Sequence, residues 1–180
     1  MKVVIINGKG GCGKDTFVTM CKDVLGAECV YNVSTVDFVK SIAYKCGWDG
    51  VKDGKNRKFL SDLKDLLTEW NDVPFKKIQS RINVRAKSFA AVDWVVFVDC
   101  REPAEIQKLK ERLNATTVLI RRKSVENNET SNHADAEVFE YNYDLTIYNN
   151  SDIIHLEDKA RKFIEYMKKE EVPHYESRND

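Results

Sequence analysis

The sequence predicts an α/β fold in which a parallel sheet carries helices on both faces, and three observations predict it. Val3–Ile6, Trp94–Val98 and Thr116–Ile120 are continuous apolar runs rich in β-branched residues, the pattern of strands buried on both faces. Such runs alternate along the chain with amphipathic helical stretches, which implies parallel strands joined by helical crossovers. Between the first strand and the first helix stands Gly8-Lys9-Gly10-Gly11-Cys12-Gly13-Lys14, with the spacing G-x-x-x-x-G-K. Its glycines let successive backbone N–H groups turn around an anion, and the helix behind adds partial positive charge. The loop therefore predicts binding of a nucleoside triphosphate.

Each element follows in order. Phe17, Val18, Cys21, Val24 and Leu25 give the first helix its apolar face. Cys29–Val33 reads as a second strand after the break at Gly26. Ser34 and Thr35 are expected to cap a helix carrying Val36, Val39, Ile42, Ala43 and Cys46, which Gly47 ends. Residues 49–58 read as a polar loop. A long helix follows, with Phe59, Leu60, Leu63, Leu66, Leu67 and Trp70 on one side, and Asp72 and Pro74 open another helix through Ile78, Ile82 and Ala86 towards Ala91. The strand Trp94–Val98 closes on Asp99, and Pro103 starts a helix at the position where its missing N–H costs nothing. Thr116–Ile120 leads into Arg121-Arg122-Lys123, and residues 124–137 read as a polar surface loop. Leu145–Tyr148 is a short fifth strand. Leu156, Ala160, Phe163, Ile164 and Met167 line a last helix, and residues 171–180 a polar tail.

The bulk numbers fit one domain spanning residues 1–180. The 29 Lys+Arg residues balance 29 Asp+Glu, which argues against nucleic acid or a membrane surface as the main partner. Five cysteines, Cys12, Cys21, Cys29, Cys46 and Cys100, form no C-x-x-C pair and follow no signal peptide. They read as reduced thiols of a cytoplasmic protein. No apolar run approaches the ~20 residues that span a bilayer.

In an open parallel sheet, ligands gather at the carboxyl ends of the strands. Gly8, Gly10, Gly11, Cys12, Gly13, Lys14, Asp15 and Thr16 are expected to bind the nucleotide, with Lys14 reaching its β- and γ-phosphates. Asp15 stands where a Ser or Thr hydroxyl usually ligates Mg²⁺. A carboxylate is also a hard oxygen ligand, so Asp15 is assigned to the metal in preference to a role as a first-turn acid. Asp99 is either a second metal acid, acting directly or through water, or the turn acid before Pro103. Arg101 either contacts phosphate or pairs with Glu102 or Glu105. Arg121 and Arg122 either belong to a lid over residues 121–137 that closes on the transferring phosphoryl group or form a solvated basic turn. Asp37, Lys40 and Arg57 are candidates for the acceptor, its phosphate falling to the two cations; a solvated helix face is the alternative for both. His133, His155 and His174 read as surface residues, and no general base is required when the acceptor is an ionised phosphate. Cys12 reads as a small filler or an oxidisable thiol.

Several stretches together resemble one family. They are the G-K-D-T ending of the loop, V-D-F-V-K from Val36, R-K-F-L-S-D-L-K from Arg57, F-V-D-C-R-E-P from Phe97 and Y-D-L-T-I-Y-N-N from Tyr143. In this order they are similar to small kinases of the deoxynucleoside monophosphate kinase and phosphomevalonate kinase type. The resemblance implies the three-layer P-loop NTPase fold with a five-stranded parallel sheet of the nucleoside monophosphate kinase arrangement. It also implies ATP with Mg²⁺ as phosphoryl donor and a small phosphorylated acceptor. It assigns residues 8–16 to ATP and a helical region over about residues 36–91 to the acceptor. Arg121 and Arg122 fall to the lid, and Asn149 and Asn150 to the neighbourhood of the adenine.

A second reading comes from another class. Lys9-Gly10-Gly11-Cys12-Gly13-Lys14 also matches the K-G-G-x-G-K loop of partitioning and cell-division-site ATPases, dimerising switches whose extra lysine reaches a partner's nucleotide. Asp15 and the lack of D-x-D-x-Q after the second strand stand against it. No N-K-x-D motif supports a GTPase. A binding-only protein is the third reading.

Overall fold

The computed structural model describes residues 1–51, 53–88, 94–127 and 137–169. Five strands form one parallel sheet: β1 (Lys2–Asn7), β2 (Val30–Ser34), β3 (Val95–Asp99), β4 (Thr116–Arg121) and β5 (Leu145–Tyr148). Their order is β2-β3-β1-β4-β5, and β1 pairs in parallel with both β3 and β4, as β4 does with β5. The long apolar runs place β1, β3 and β4 at the centre, where both faces of a strand are covered.

The chain divides into two compact units, Met1–Asn32 with Ala91–Asp180, and Val33–Ala90. The first holds most of the sheet with α1 (Lys14–Leu25), α5 (Pro103–Leu113), the short α6 (Lys123–Glu126) and α7 (Ile153–Lys168). Period-two alternation sorts its strand side chains onto two faces. Val4, Ile6, Val95, Phe97, Val118, Ile120, Leu145 and Ile147 join one core with Phe17 and Cys21 of α1 and Leu156, Phe163 and Ile164 of α7. Phe17 meets Phe163 edge-on at 5.5 Å between centroids. The other face of β1 faces α5, where Ile106 and Leu109 are buried.

One polar clamp fixes the start of β4 against the residue before β5. Buried Thr117 donates its N–H and its hydroxyl to Asp144 Oδ2, each at 2.9 Å, and accepts the Asp144 N–H at 2.9 Å. Lys110 Nζ adds an ion pair to Asp144 Oδ1 at 2.5 Å.

The second unit contains α2 (Asp37–Lys45), α3 (Gly54–Asn71) and α4 (Val73–Ser88), and here two expectations are corrected. Neither Ser34 nor Thr35 caps α2; the helix is entered through Val36 without a side-chain cap. Instead the Asp37 carboxylate turns back to accept the N–H of Ser34 at 2.9 Å. The loop ends at Asp53 rather than Lys58, because the Asp53 side chain accepts the N–H of Asn56 at 2.7 Å and starts α3 early. The apolar side of α3 is buried only in part. Lys64 is its one buried side chain, while Leu66 is 63% and Trp70 73% exposed. At about 100° per residue the covered face, with Leu60, Lys64 and Leu67, lies to one side of the apolar band, which leaves Leu66 and Trp70 on the other side in water.

No helix among the described residues is long and apolar enough to cross a membrane. None of the five cysteines forms a disulfide, and all are buried except Cys46. Residues 128–136, most of the expected lid, and the tail from residue 170 lie outside the described residues.

Candidate functional site

Asn7 ends β1 as a polar residue with no exposure, and every part of its amide is used. Its Oδ1 accepts the N–H of Gly8 at 2.8 Å; its Nδ2 donates to the Arg101 carbonyl at 3.2 Å and to the Tyr143 phenol at 2.7 Å. Tyr143 in turn donates to the Val138 carbonyl at 2.9 Å. Burial pushes the Tyr143 pKa up to about 12, so it remains a neutral donor. This chain of bonds sets the direction in which the loop leaves the sheet.

The loop then folds tightly on itself. Cys12 donates its N–H to the Lys9 carbonyl at 3.1 Å. A Cβ at Gly8 would lie 2.5 Å from Cys12 Sγ and 2.7 Å from the Ile120 carbonyl oxygen, so only glycine fits there. Cys12 is 1% exposed, and burial holds its thiol pKa above the usual value in spite of nearby Lys14. It is the filler of the loop, because a buried protonated thiol is a poor nucleophile. Gly13 takes the left-handed conformation, φ 93°, at the N-cap of α1. Asn149, at the end of β5, donates to the Cys12 carbonyl at 2.8 Å and occupies the space a Cβ on Gly13 would need.

Lys14 is the electrostatic centre. Its Nζ lies 2.5 Å from Asp99 Oδ1 and 2.8 Å from Asp15 Oδ1. Burial favours the neutral amine, but the Asp99 charge and the bond to Asp15 outweigh it and the pKa is raised. The ammonium therefore stays charged. Hydrogen bonding from Lys14, more than the charge of Arg101, holds the Asp15 carboxyl below its usual range. Asp99 caps no helix, since α5 is entered through Glu102. Asp15 occupies the first turn of α1, and its side chain is 89% exposed.

The donors here fit a small divalent cation. Asp99 Oδ1 is buried against the Lys14 ammonium, and Asp15 offers a second carboxylate beside the same lysine. Among the described residues no group of three or more His, Cys, Asp or Glu forms a self-sufficient metal cage. Magnesium needs none, since it is commonly held by one or two carboxylates plus phosphate oxygens and water.

Arg121 and Arg122 diverge. Arg121 makes a bidentate pair with Glu126 of α6, at 2.9 and 2.8 Å, and its guanidinium lies 4.9 Å from the Phe139 ring and 5.7 Å from the Tyr148 ring. The hydrogen bonds to Glu126 chiefly raise its pKa, and the same contacts lower that of Glu126. Arg122 stands exposed at the N-cap of α6. Lys9 of the loop reaches the same place, donating to the Glu126 carbonyl at 2.6 Å. Asn150 accepts the N–H of Lys123 at 2.9 Å, so both asparagines after β5 hold neighbouring backbone.

Asp37, Lys40 and Arg57 belong to the second unit, Asp37 and Lys40 on α2 and Arg57 on α3. Asp37 pairs there with Arg81 of α4 at 3.2 Å. His155 bonds Asp152 at 2.8 Å on the surface, while His133 and His174 lie outside the described residues. Sequence reasoning passed over Asn7, Tyr143, Glu126 and Arg81. Only Asn7 carried a local signal, a polar residue closing an apolar strand directly before the loop. The others are recruited from positions distant in the chain.

No family model matches this sequence, and none of the curated proteins searched matches it. Solved structures do align with it. The APS kinase of Mycobacterium tuberculosis in complex with AMPPNP and APS is 13% identical, with a TM-score of 0.47, over 93% of this chain and 98% of that one. Shikimate kinase from Bacteroides thetaiotaomicron is 10% identical, with a TM-score of 0.44, over 93% and 98%. Thymidylate kinase from Ehrlichia chaffeensis is 12% identical, with a TM-score of 0.42, over 91% and 98%. At such identities and scores these likenesses decide neither family nor substrate.

Proposed function

We propose that this chain is an ATP-dependent kinase that transfers a phosphoryl group to a small phosphorylated acceptor, a (deoxy)nucleoside monophosphate. The observation that carries the reading is Lys14, charged and half-buried at the head of α1, flanked by Asp15 and Asp99 at the carboxyl ends of parallel strands. That arrangement suits a triphosphate with its cation and serves no evident purpose in the packing. Lys14 would bind the β- and γ-phosphates, and the N–H groups of the loop up to Lys14, other than those of Gly8 and Cys12 that are bonded within it, would line the anion. Asp15 and Asp99 would hold Mg²⁺, which when bound neutralises charge developing on the phosphates. Phosphoryl transfer asks mainly for position and charge neutralisation, consistent with the absence of a histidine from the described site.

The nucleoside monophosphate class rests on the family resemblance of the sequence, as do the acceptor roles of Asp37, Lys40 and Arg57, the phosphate role of Arg101 and the lid role of Arg121 and Arg122. Phosphomevalonate belongs in the same test. The dimerising switch gains no support, because Lys9 bonds to Glu126 of its own chain rather than extending outward. The test is a coupled ADP-release assay with Mg-ATP against a panel of monophosphates and phosphomevalonate. Turnover with one acceptor, lost in Lys14→Ala, supports the kinase. ADP release without any acceptor, or none at all, rejects it.

A further inference from the structure

We infer that Glu126 is a positioning residue of the phosphate site: it aims Arg121 and holds Lys9 beside it, so that both cations meet the terminal phosphate of a nucleoside triphosphate. This role rests on the nucleotide reading given above. Glu126 pairs with Arg121 through Nε and Nη2, at 2.9 and 2.8 Å. Such side-on pairing occupies one edge of the guanidinium and leaves Nη1 outside the pair, on the edge that can meet a second anion. The ring of Phe139, 4.9 Å from the guanidinium, and that of Tyr148, 5.7 Å away, restrict it further. Lys9 reaches the same residue at another atom. It donates to the Glu126 carbonyl at 2.6 Å, and its Nζ lies 5.9 Å from the centre of the same Phe139 ring. One cation comes from the loop and the other from the end of β4, and Glu126 with Phe139 gathers both.

The carboxylate is not needed to hold α6 in place. Val125 packs against the sheet core and lies 3.6 Å from where a Cβ on Gly11 would stand. Asn150 accepts the Lys123 N–H, and the Arg122 carbonyl accepts that of Val125. These ties persist when the Glu126 charge is removed. What changes is Arg121. Glu126→Gln keeps the shape but sets an amide N–H₂ against a guanidinium N–H, so the two-point pair cannot form. The pair is largely shielded, its side chains 34% and 18% exposed. Losing it gives Arg121 back its rotamers, and a bound anion must then bear the cost of ordering them. Charge alone predicts the reverse, since removing a carboxylate from beside two cations raises the local positive potential. Orientation outweighs it, because salt screens the potential at the mouth of the site and leaves rotamer freedom untouched. Two cations added to Lys14 also favour the more highly charged ligand, triphosphate over diphosphate.

Calorimetric titration of the full chain with Mg²⁺ and β,γ-imido ATP, and separately with ADP, tests this without an acceptor and without turnover. Glu126→Gln should weaken the triphosphate analogue by about tenfold and ADP by no more than about twofold. Arg121→Ala should itself weaken the analogue by about tenfold, and adding Glu126→Gln to it should cost less than about twofold more. Urea unfolding checks that each variant folds. Should Glu126→Gln fail to fold, Glu126→Asp decides, since it keeps the charge but shortens the reach; it should weaken the analogue measurably and ADP not at all. An analogue affinity unchanged or tightened, a loss shared equally by ADP, or an undiminished further loss beside Arg121→Ala overturns the role of Glu126. Wild-type protein that binds neither nucleotide rejects the nucleotide reading itself, and this role with it.

Discussion

The sheet-bearing unit and the helical unit use apolar residues in opposite ways. In β1, Val4, Ile5 and Ile6 have no exposure at all, and neither does Phe17 in the helix that follows. In α3, which is longer and as rich in leucine as any helix of the chain, the one buried side chain is that of a lysine. A continuous apolar strand has no polar face to offer water, so its burial on both sides is forced. A helical stripe states only that some surface must cover it. Whether that surface belongs to the same chain is decided elsewhere.

The largest effect should come from the sheet unit's charged centre. Lys14→Ala is expected to lower phosphoryl transfer by about 10²–10³-fold or more with an unchanged far-UV spectrum, read in the coupled assay. Asp99→Asn should cost nearly as much turnover and shift the magnesium requirement upward. Loss of activity with no shift in the magnesium titration would remove Asp99 from the metal.

Packing separates the units next. Phe17→Ala removes a fully buried ring and should destabilise the protein by about 3–5 kcal/mol in urea unfolding. Trp70→Ala should stay within about 0.5 kcal/mol. Equal losses would mean that the α3 face is covered within the chain and would break the comparison. Gly13→Ala falls between them, because the left-handed backbone and Asn149 both oppose a Cβ. It should reduce nucleotide affinity, read by ATP-analogue titration, more than it reduces stability.

Smaller effects test whether local signals are equivalent in the two units. Asp53 caps α3 and Asp152 caps α7 through the same side-chain bond to a backbone N–H. Each Asp→Ala should cost about 1 kcal/mol, and a marked inequality would show one helix held chiefly by its packing. The Asp144 clamp gives a pH dependence. Burial alone would raise its pKa, but Lys110 and the Thr117 donors prevail and hold it below the usual range. The folded state thus binds fewer protons than the unfolded chain in the window below the unfolded carboxylate value, about pH 4. Stability from this clamp is complete above that value and is lost as the pH falls through the folded value. Asp144→Asn should flatten the acid limb of stability against pH.

Much of the site could be read from the chain because it is contiguous. The loop from Gly8 to Lys14, the strand before it and the helix after it are one local unit of sequence. Asp99 could be read as a candidate because it closes an apolar strand, and sheet topology carries strand ends together. The bond from Asn149 to the Cys12 carbonyl and the Asn7–Tyr143 link span more than 130 residues, and no local pattern announces them. Arg121 illustrates the same limit. Its place at a strand end was legible, but its bidentate partner Glu126 and its ring neighbours Phe139 and Tyr148 follow from how α6 and β5 return.

By itself the sequence determined the class of fold, the phosphate loop and the boundaries of most strands, since these depend on short-range period, glycine conformational freedom and unbroken apolar runs. Tertiary structure alone decided which groups surround Lys14, what the buried amides of Asn7 and Asn149 hold, and which side of α3 is left to solvent. Those outcomes depend on which distant segments meet, and a hydrogen bond or a buried face exists only once both partners are in place.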